Sequence, residues 1–134
     1  MSMGIQIIPI RSNGNLCYLE SERDFPFPIK RVYFTHGEKI GAHRGFHAHK
    51  TLKQVLFCPH GRINIILDDG NERAEVMLDC PAKGLFLENS LIWREIIWLK
   101  DKSVLCVLAS DYYDESDYIR DYDEFLAYLS DGRA

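Results

Sequence analysis

The sequence lacks the features that define several large classes of protein. No apolar stretch is long enough to cross a bilayer, and Gln6 and Pro9 interrupt the first apolar run, which has no basic residues before it. No C-x-x-C pair occurs among the four cysteines, Cys17, Cys58, Cys80 and Cys106. Widely spaced cysteines within apolar segments behave as small hydrophobic side chains. We therefore expect a cytoplasmic protein with reduced thiols and no membrane partner.

An excess of positive charge is also missing. Sixteen Lys and Arg residues against twenty Asp and Glu residues give a net charge of −4, so the basic field that drives non-specific nucleic-acid binding is absent. We expect no nucleic-acid partner. The chain has no internal repeat, linker or low-complexity tract, and 46% of its 134 residues are hydrophobic, which is enough for a core. A single domain is predicted over residues 1–134.

Most of the chain consists of short segments rich in Val, Ile, Leu, Phe and Tyr. Turn residues such as Asn13-Gly14 and Asp68-Asp69-Gly70-Asn71 separate these segments. The composition predicts strands over residues 5–10, 16–19, 30–35, 54–58, 62–67, 74–78, 84–87, 91–97 and 104–109. Short strands at even spacing are typical of an all-β sandwich or barrel.

The tail after Ser110 has a different periodicity. Its apolar residues recur at helical spacing, at Tyr118, Ile119, Tyr122, Phe125, Leu126 and Leu129. Asp114 and Ser116 precede them and are good helix caps. We predict a short amphipathic C-terminal helix over about residues 115–130, with the tail tyrosines packing it onto the β-domain.

Two histidines mark a candidate site. His47 and His49 are two residues apart, so on a strand they point to the same face. With Gly41 and Gly61 at the right distances, this segment resembles the first motif of the cupin superfamily, although Gln54 stands where that motif has Glu. The resemblance implies an all-β, cupin-type jelly-roll barrel with a short C-terminal helix.

A cupin metal site uses three histidines and a glutamate, and this chain departs from that set. Glu95 occupies the position of the third histidine in the second cupin motif, and Gln54 is a poor ligand. His47, His49 and Glu95 still offer the two imidazoles and one carboxylate of an Fe(II) facial triad, so a metal-dependent dioxygenase stays an alternative. Two satisfied histidines in a barrel wall are a second alternative. We predict no metal and no cofactor, and acid–base chemistry by free imidazoles.

A second resemblance narrows the chemistry. Segments 30–34, 44–50, 67–70, 92–95 and 107–125, in this order and spacing, resemble the sugar 3,4-ketoisomerases of the cupin superfamily. Arg94 is a departure, because some relatives have His there. The resemblance implies an isomerase without a cofactor that converts thymidine-diphosphate-linked 4-oxo-6-deoxyglucose to the 3-oxo sugar. A related 3,5-epimerase and a non-catalytic sugar-nucleotide-binding cupin are the alternatives.

Moving a carbonyl from C4 to C3 requires a base for the C3 proton and a donor for the developing oxyanion. We assign His49 as the base, His47 as the group that polarises or protonates oxygen, and Tyr33 as an additional donor. The assignment with the two histidines exchanged stays open.

The remaining polar residues are candidate substrate contacts. Arg44 can offer a bidentate guanidinium to the diphosphate, with Arg31 and Lys50 as further phosphate contacts. Gln54 and Glu95 can hydrogen-bond the sugar or orient a histidine. The only partner expected besides the sugar nucleotide is a second copy of the chain. The family and the apolar segment 5–10 suggest a homodimer in which this segment adds a strand to the neighbour's sheet.

Overall fold

The structure is a computed structural model that describes residues 3–79 and 82–132, so Cys80 lies outside the described residues. Its strands are β1 (Ile5–Pro9), β2 (Arg11–Asn13), β3 (Leu16–Tyr18), β4 (Arg31–Thr35), β5 (His43–His49), β6 (Gln54–His60), β7 (Ile63–Asp68), β8 (Arg73–Leu78), β9 (Lys83–Leu87), β10 (Trp93–Trp98), β11 (Val104–Ala109) and β12 (Tyr118–Ile119). A 3₁₀ turn (Glu115–Asp117) precedes β12, and helix α1 (Tyr122–Gly132) follows it.

Ten of these strands form two antiparallel five-stranded sheets. Sheet 1 has the order β1-β9-β6-β11-β4 and sheet 2 the order β12-β5-β10-β7-β8, while β2 and β3 form a separate hairpin. The main core consists of apolar side chains from both sheets, among them Leu56, Leu85 and Val107 from sheet 1 and Ile65 and Trp98 from sheet 2. This packing of two sheets confirms the predicted all-β jelly roll.

All nine predicted strands are present with small differences at their ends. Strand β1 pairs with β9 of its own chain, from Ile5 opposite Leu87 to Pro9 opposite Lys83, and forms one edge of sheet 1. The described cysteines Cys17, Cys58 and Cys106 are free thiols. Within the described residues, no helix is both long and apolar enough to cross a membrane.

The predicted C-terminal helix begins later than expected. Residues 115–117 form the 3₁₀ turn, capped by Asp114, and Tyr118 and Ile119 pair with His49 and Ala48 of β5. The prediction of a helix from residue 115 was therefore wrong, because Tyr118 and Ile119 form a β-strand with β5 instead. Helix α1 starts at Tyr122, where the Asp121 side chain accepts a hydrogen bond from the Asp123 backbone N–H at 2.9 Å.

Helix α1 covers part of the outer face of sheet 2. Its Phe125 and Leu129 pack with Trp93 and Ile119 in a separate buried cluster. The Tyr122 hydroxyl donates to Asp68 Oδ2 at 2.8 Å, which confirms Tyr122 as an attachment of the tail. The inner face of sheet 2, which faces sheet 1, carries both the main core and the candidate site.

Candidate active site

A cavity of about 210 Å³ lies between the two sheets. The apolar part of its wall includes Leu56, Ile96, Trp98, Leu105 and Val107. The polar part comprises Tyr33 and Thr35 of β4, Arg44 and His47 of β5, Gln54 of β6, Arg94 of β10, Tyr118 of β12 and Arg120. The sheets therefore bring together residues that are up to 87 positions apart in the sequence.

A β-bulge in β5 positions two of these residues. The register with β10 shifts between Arg94, opposite His47, and Glu95, opposite Gly45. The extra residue changes the alternation, so Arg44 and His47 line the same cavity although they are three residues apart. Gly45 has a φ of +91°, and a Cβ there would lie 3.0 Å from the Arg94 carbonyl oxygen. A glycine is therefore required at the bulge.

His47 and His49 are adjacent, as predicted, but their environments differ. Their rings lie edge to face with centroids 5.0 Å apart. His47 lines the cavity, whereas His49 is 0% exposed and does not. His49 Nδ1 donates to Asp117 Oδ2 at 2.9 Å, because a carboxylate can only accept. Neither His47 Nδ1 nor His49 Nε2 has a hydrogen-bond partner within the described residues.

Burial keeps both imidazoles neutral. Desolvation, followed by the positive charge of Arg94, lowers the pKa of His47 to about 3. The same two causes lower the pKa of His49 far below its usual value. Each ring therefore carries one bare nitrogen at neutral pH, as a general base requires.

Arg94 places a positive charge in the cavity wall. Its side chain is 2% exposed, and its guanidinium donates to Gln54 Oε1 and to the Ile92 carbonyl oxygen, the latter at 3.1 Å. Both acceptors are neutral, and no carboxylate among the described residues accepts a hydrogen bond from Arg94. Burial lowers the pKa of Arg94 to about 10, which still leaves it cationic at neutral pH.

Gln54 connects this charge to Tyr33. The Gln54 amide donates to the Tyr33 hydroxyl at 2.9 Å, so the Tyr33 proton is free to point into the cavity. Burial raises the pKa of Tyr33, which keeps its hydroxyl protonated. Gln54 and Tyr33, both predicted as site residues from the sequence, therefore lie together in the cavity wall.

Two further arginines, Arg44 and Arg120, line the solvent-exposed part of the cavity. Arg44, with a side chain 56% exposed, forms an ion pair with Glu38 at 2.8 Å. Arg120, 52% exposed, forms an ion pair with Glu115 at 2.7 Å, and its guanidinium carbon lies 4.2 Å from the ring centre of Tyr118. Exposed pairs of this kind exchange partners at low cost, so both arginines can turn to an anionic ligand.

Besides His49, three predicted substrate contacts lie outside the cavity lining. Glu95 is on the outer face of β10, where its carboxylate accepts from Trp93 Nε1 at 3.2 Å and lies 3.2 Å from His43 Nε2. Lys50 is exposed, with its ammonium 5.8 Å from the ring centre of Tyr128. Arg31 packs on Tyr33, 4.9 Å from the ring centre, and lines a smaller neighbouring cavity.

The position of Glu95 has a consequence for the Fe(II) alternative. That alternative needs Glu95 beside His47 and His49, but the strand alternation turns Arg94 to the cavity and Glu95 away from it. No group of three His, Cys, Asp or Glu side chains converges on a metal position within residues 3–79 and 82–132.

Four residues at or next to the cavity were not predicted from the sequence: Arg94, Asp117, Tyr118 and Arg120. The alternation of Arg94 with Ile96 and Trp98, which all face the cavity, is a signal that could have found Arg94. Asp117 and Tyr118 were assigned to the predicted helix, which concealed their pairing with β5.

Comparison with known proteins identifies the family. Residues 3–130 match the model of the FdtA family, described as WxcM-like, C-terminal. The chain belongs to this family. The resemblance of this chain to the sugar 3,4-ketoisomerases, expected from the sequence, is confirmed by its relatives.

A TDP-4-oxo-6-deoxy-alpha-D-glucose-3,4-oxoisomerase of Aneurinibacillus thermoaerophilus is 49% identical over 121 residues, covering 90% of this chain and 86% of the relative. A 3,4-ketoisomerase from Helicobacter canadensis has a TM-score of 0.91 and 39% identity over 96% of this chain and 98% of that one. QdtA, a sugar 3,4-ketoisomerase from Thermoanaerobacterium thermosaccharolyticum in complex with TDP, has a TM-score of 0.91 and 37% identity over 98% of both chains.

Epimerases are more distant. A 3′-monoepimerase from Streptomyces bikiniensis is 18% identical with a TM-score of 0.73, over 88% of this chain and 69% of that one. This likeness shows a shared fold alone. This member of the FdtA family is therefore an isomerase related to the TDP-sugar 3,4-ketoisomerases.

Proposed function

We propose that this protein converts TDP-4-oxo-6-deoxyglucose to the TDP-linked 3-oxo sugar by moving a proton from C3 to C4 through an enediol. The observation that carries the proposal is a cavity whose wall holds a neutral imidazole, His47, beside a buried guanidinium, Arg94. The printed activity of the Aneurinibacillus relative supports this substrate.

The base for the C3 proton is His47 in this proposal. The prediction from the sequence was His49, with the exchanged assignment left open. The cavity supports the exchange, because His47 lines it and the fully buried His49 does not. The lowered pKa of His47 ensures a bare nitrogen. Two negative phosphate charges arriving with the substrate raise its proton affinity, which brings its pKa toward the range a base needs.

Arg94 and Tyr33 stabilise the oxygen on which charge develops. As the C3 proton leaves, the C4 carbonyl oxygen becomes an enediolate oxygen. The Arg94 charge is fixed by Gln54 and Ile92 and has no carboxylate partner to weaken it within the described residues. Tyr33, held by Gln54, supplies a second donor. Charge stabilisation by prepositioned donors is commonly the largest contribution to such catalysis.

The diphosphate is bound by Arg44 and Arg120 at the exposed part of the cavity. Both are guanidinium groups that suit bidentate phosphate contacts, and each replaces a surface carboxylate partner with a phosphate. Because Arg44 and His47 line one cavity, a bound diphosphate brings the sugar to the imidazole.

The test uses TDP-4-oxo-6-deoxyglucose in deuterated water, followed by NMR. We expect the carbonyl to move from C4 to C3 without inversion at C5. An epimerase would invert C3 and C5, and a binding protein would leave the sugar unchanged; either result overturns the proposal. His47→Asn should stop the carbonyl movement, lowering kcat at least ~10²-fold. His60→Asn, at an exposed histidine, is the matched control and should keep wild-type turnover.

We further propose a cytoplasmic homodimer in which β1 is exchanged between copies. Support comes from β1 being an edge strand whose five-residue pairing with β9 a second copy can reproduce. Cysteines introduced at Pro9 and Lys83, which face each other in that pairing, should form a disulfide between chains on oxidation. A disulfide within one chain, or a mass of 15.6 kDa in solution, contradicts the exchange.

A further inference from the structure

Phe46 is the extra residue of the β-bulge in β5. His47 lies opposite Arg94, and Gly45 lies opposite Glu95, so the residue between them has no partner on β10. The backbone φ of Phe46 is +56°, in the left-handed region that bulky side chains avoid. Gly45 also has a positive φ, but a glycine adopts it without steric cost. Phe46 therefore holds a strained backbone conformation that a glycine in its place would adopt freely.

Burial does not explain a phenylalanine at this position. Phe46 is 42% exposed and does not line the cavity. Its ring packs on that of His43, with 4.4 Å between the ring centres. His43 Nε2 lies 3.2 Å from Glu95 Oε1, and Glu95 Oε2 accepts from Trp93 Nε1 at 3.2 Å. The Phe46 ring is thus one end of a chain of contacts that ties the bulge to β10 on the outer face of sheet 2.

We propose that Phe46 is a positioning residue whose ring, held by His43 on the outer face, keeps the β5 bulge in the left-handed form that turns Arg44 and His47 into the cavity together. This inference rests on the proposed function, in which Arg44 binds the diphosphate and His47 is the base. Because Phe46 does not line the cavity, it acts through the backbone on either side of it.

The bulge decides which side chains of β5 the cavity receives. On a regular strand, residues three positions apart point to opposite faces, so Arg44 and His47 could not line one cavity. The extra residue gives them a common face. Loss of the left-handed conformation at Phe46 would therefore move at least one of the two side chains away from the inner face. Diphosphate binding and turnover should weaken together, because one backbone segment carries both side chains.

A surface aromatic with no bearing on the site is the competing explanation. Two substitutions separate the explanations, because both remove the ring but differ in backbone freedom. Phe46→Ala keeps a Cβ, so the left-handed conformation stays costly and loses its support. Phe46→Gly makes the same conformation free of steric cost. We therefore expect the glycine variant to be the more active of the two, an order that loss of side-chain packing alone would not produce.

The experiment combines steady-state kinetics on TDP-4-oxo-6-deoxyglucose, calorimetry with free TDP and NMR of residue 46. A strong cross-peak between the amide and α protons of one residue marks a positive φ, because these protons are then close together. We expect this cross-peak in the wild type and in Phe46→Tyr, and its loss in Phe46→Ala. The kcat of Phe46→Ala should fall about 10- to 10²-fold, and its Kd for TDP should rise about fivefold or more. Phe46→Gly should keep kcat about three- to tenfold above that of Phe46→Ala, and Phe46→Tyr should match the wild type.

Phe34 provides the matched control. It is 62% exposed, and its ring centre lies 6.0 Å from that of a histidine, His36, but its φ is not positive. Phe34→Ala and Phe34→Gly should both keep kcat and Kd within about twofold of the wild type. His43→Ala removes the contact of the Phe46 ring and should change kcat and Kd in the same direction as Phe46→Ala.

Absence of the amide–α cross-peak at residue 46 in the wild type overturns the inference. Wild-type kcat and Kd in Phe46→Ala or in His43→Ala overturn it too, as does a Phe46→Gly protein no more active than Phe46→Ala. Absence of isomerase activity in the wild type would instead refute the proposed function, and the cross-peak and the Kd for TDP would then decide the role of Phe46.

Discussion

The two faces of sheet 2 differ in whether their buried polar side chains have hydrogen-bond or ion-pair partners. On the outer face, Asp68 accepts from Tyr122, and Glu95 accepts from Trp93 and lies near Arg73. On the inner face, His47 and His49 each keep an unpartnered ring nitrogen, and Arg94 has only neutral acceptors within the described residues. Unpaired buried groups lower the stability of the fold, so they persist where a ligand completes them. We therefore expect the outer polar network to stabilise the fold and the inner polar groups to serve the proposed reaction.

Arg94→Met tests this contrast most strongly. Removing the buried charge removes the main electrostatic support of the enediolate, so kcat should fall ~10²- to 10³-fold. The free energy of unfolding should change by less than about 1 kcal/mol, because a buried cation without a carboxylate partner contributes little net stability. Steady-state kinetics and urea unfolding measure the two quantities.

Arg73→Met is the control for Arg94. Arg73 is a half-exposed arginine of the outer face, close to Asp68 and Glu95, and its loss should leave kcat unchanged. An Arg94→Met protein that turns over like wild type, or one that loses several kcal/mol of stability, would show that Arg94 belongs to the structural network after all.

Strand β10 shows a limit of prediction from the sequence. Apolar composition located β10, but the cupin alignment put Glu95, and not Arg94, at the site. Neighbouring residues on a strand face opposite sides, so an alignment error of one residue selected the outward-facing Glu95 in place of the cavity-facing Arg94. In β5, the alternation placed His47 and His49 on one face correctly.

Long-range pairing was beyond what local pattern can show. Tyr118 and Ile119 fit the helical period of the tail, but they pair with residues of β5 that lie 69 and 71 positions earlier in the chain. Asp117 became a partner of His49 only through that pairing. The bulge at Gly45 likewise depends on β10 lying opposite, so the shared orientation of Arg44 and His47 could not be derived from their spacing alone.

On the outer face, Tyr122→Phe should affect stability alone. The change removes the hydroxyl that donates to Asp68 Oδ2, and Asp68 is 3% exposed, so water cannot easily replace it. We expect a loss of about 1–3 kcal/mol in the free energy of unfolding, with kcat within about twofold of wild type. Tyr128→Phe removes a hydroxyl from the same helix that makes no hydrogen bond within the described residues, and should cost less than about 0.5 kcal/mol. Equal costs for the two variants would contradict a structural role for the Tyr122–Asp68 bond.

The smallest expected effect concerns Arg44, which lies on the inner side of the bulge but is already paired with Glu38. A lysine keeps the charge but lacks the planar pair of donors that a diphosphate can engage, so Arg44→Lys should weaken TDP binding by roughly 1–2 kcal/mol. This corresponds to a rise in Kd of about 5- to 30-fold, which calorimetry with free TDP measures. Arg73→Lys makes the same replacement on the outer face and should leave Kd unchanged. If Arg44→Lys binds TDP as tightly as wild type, Arg44 is a surface partner of Glu38, and Arg120 becomes the main phosphate contact of the inner face.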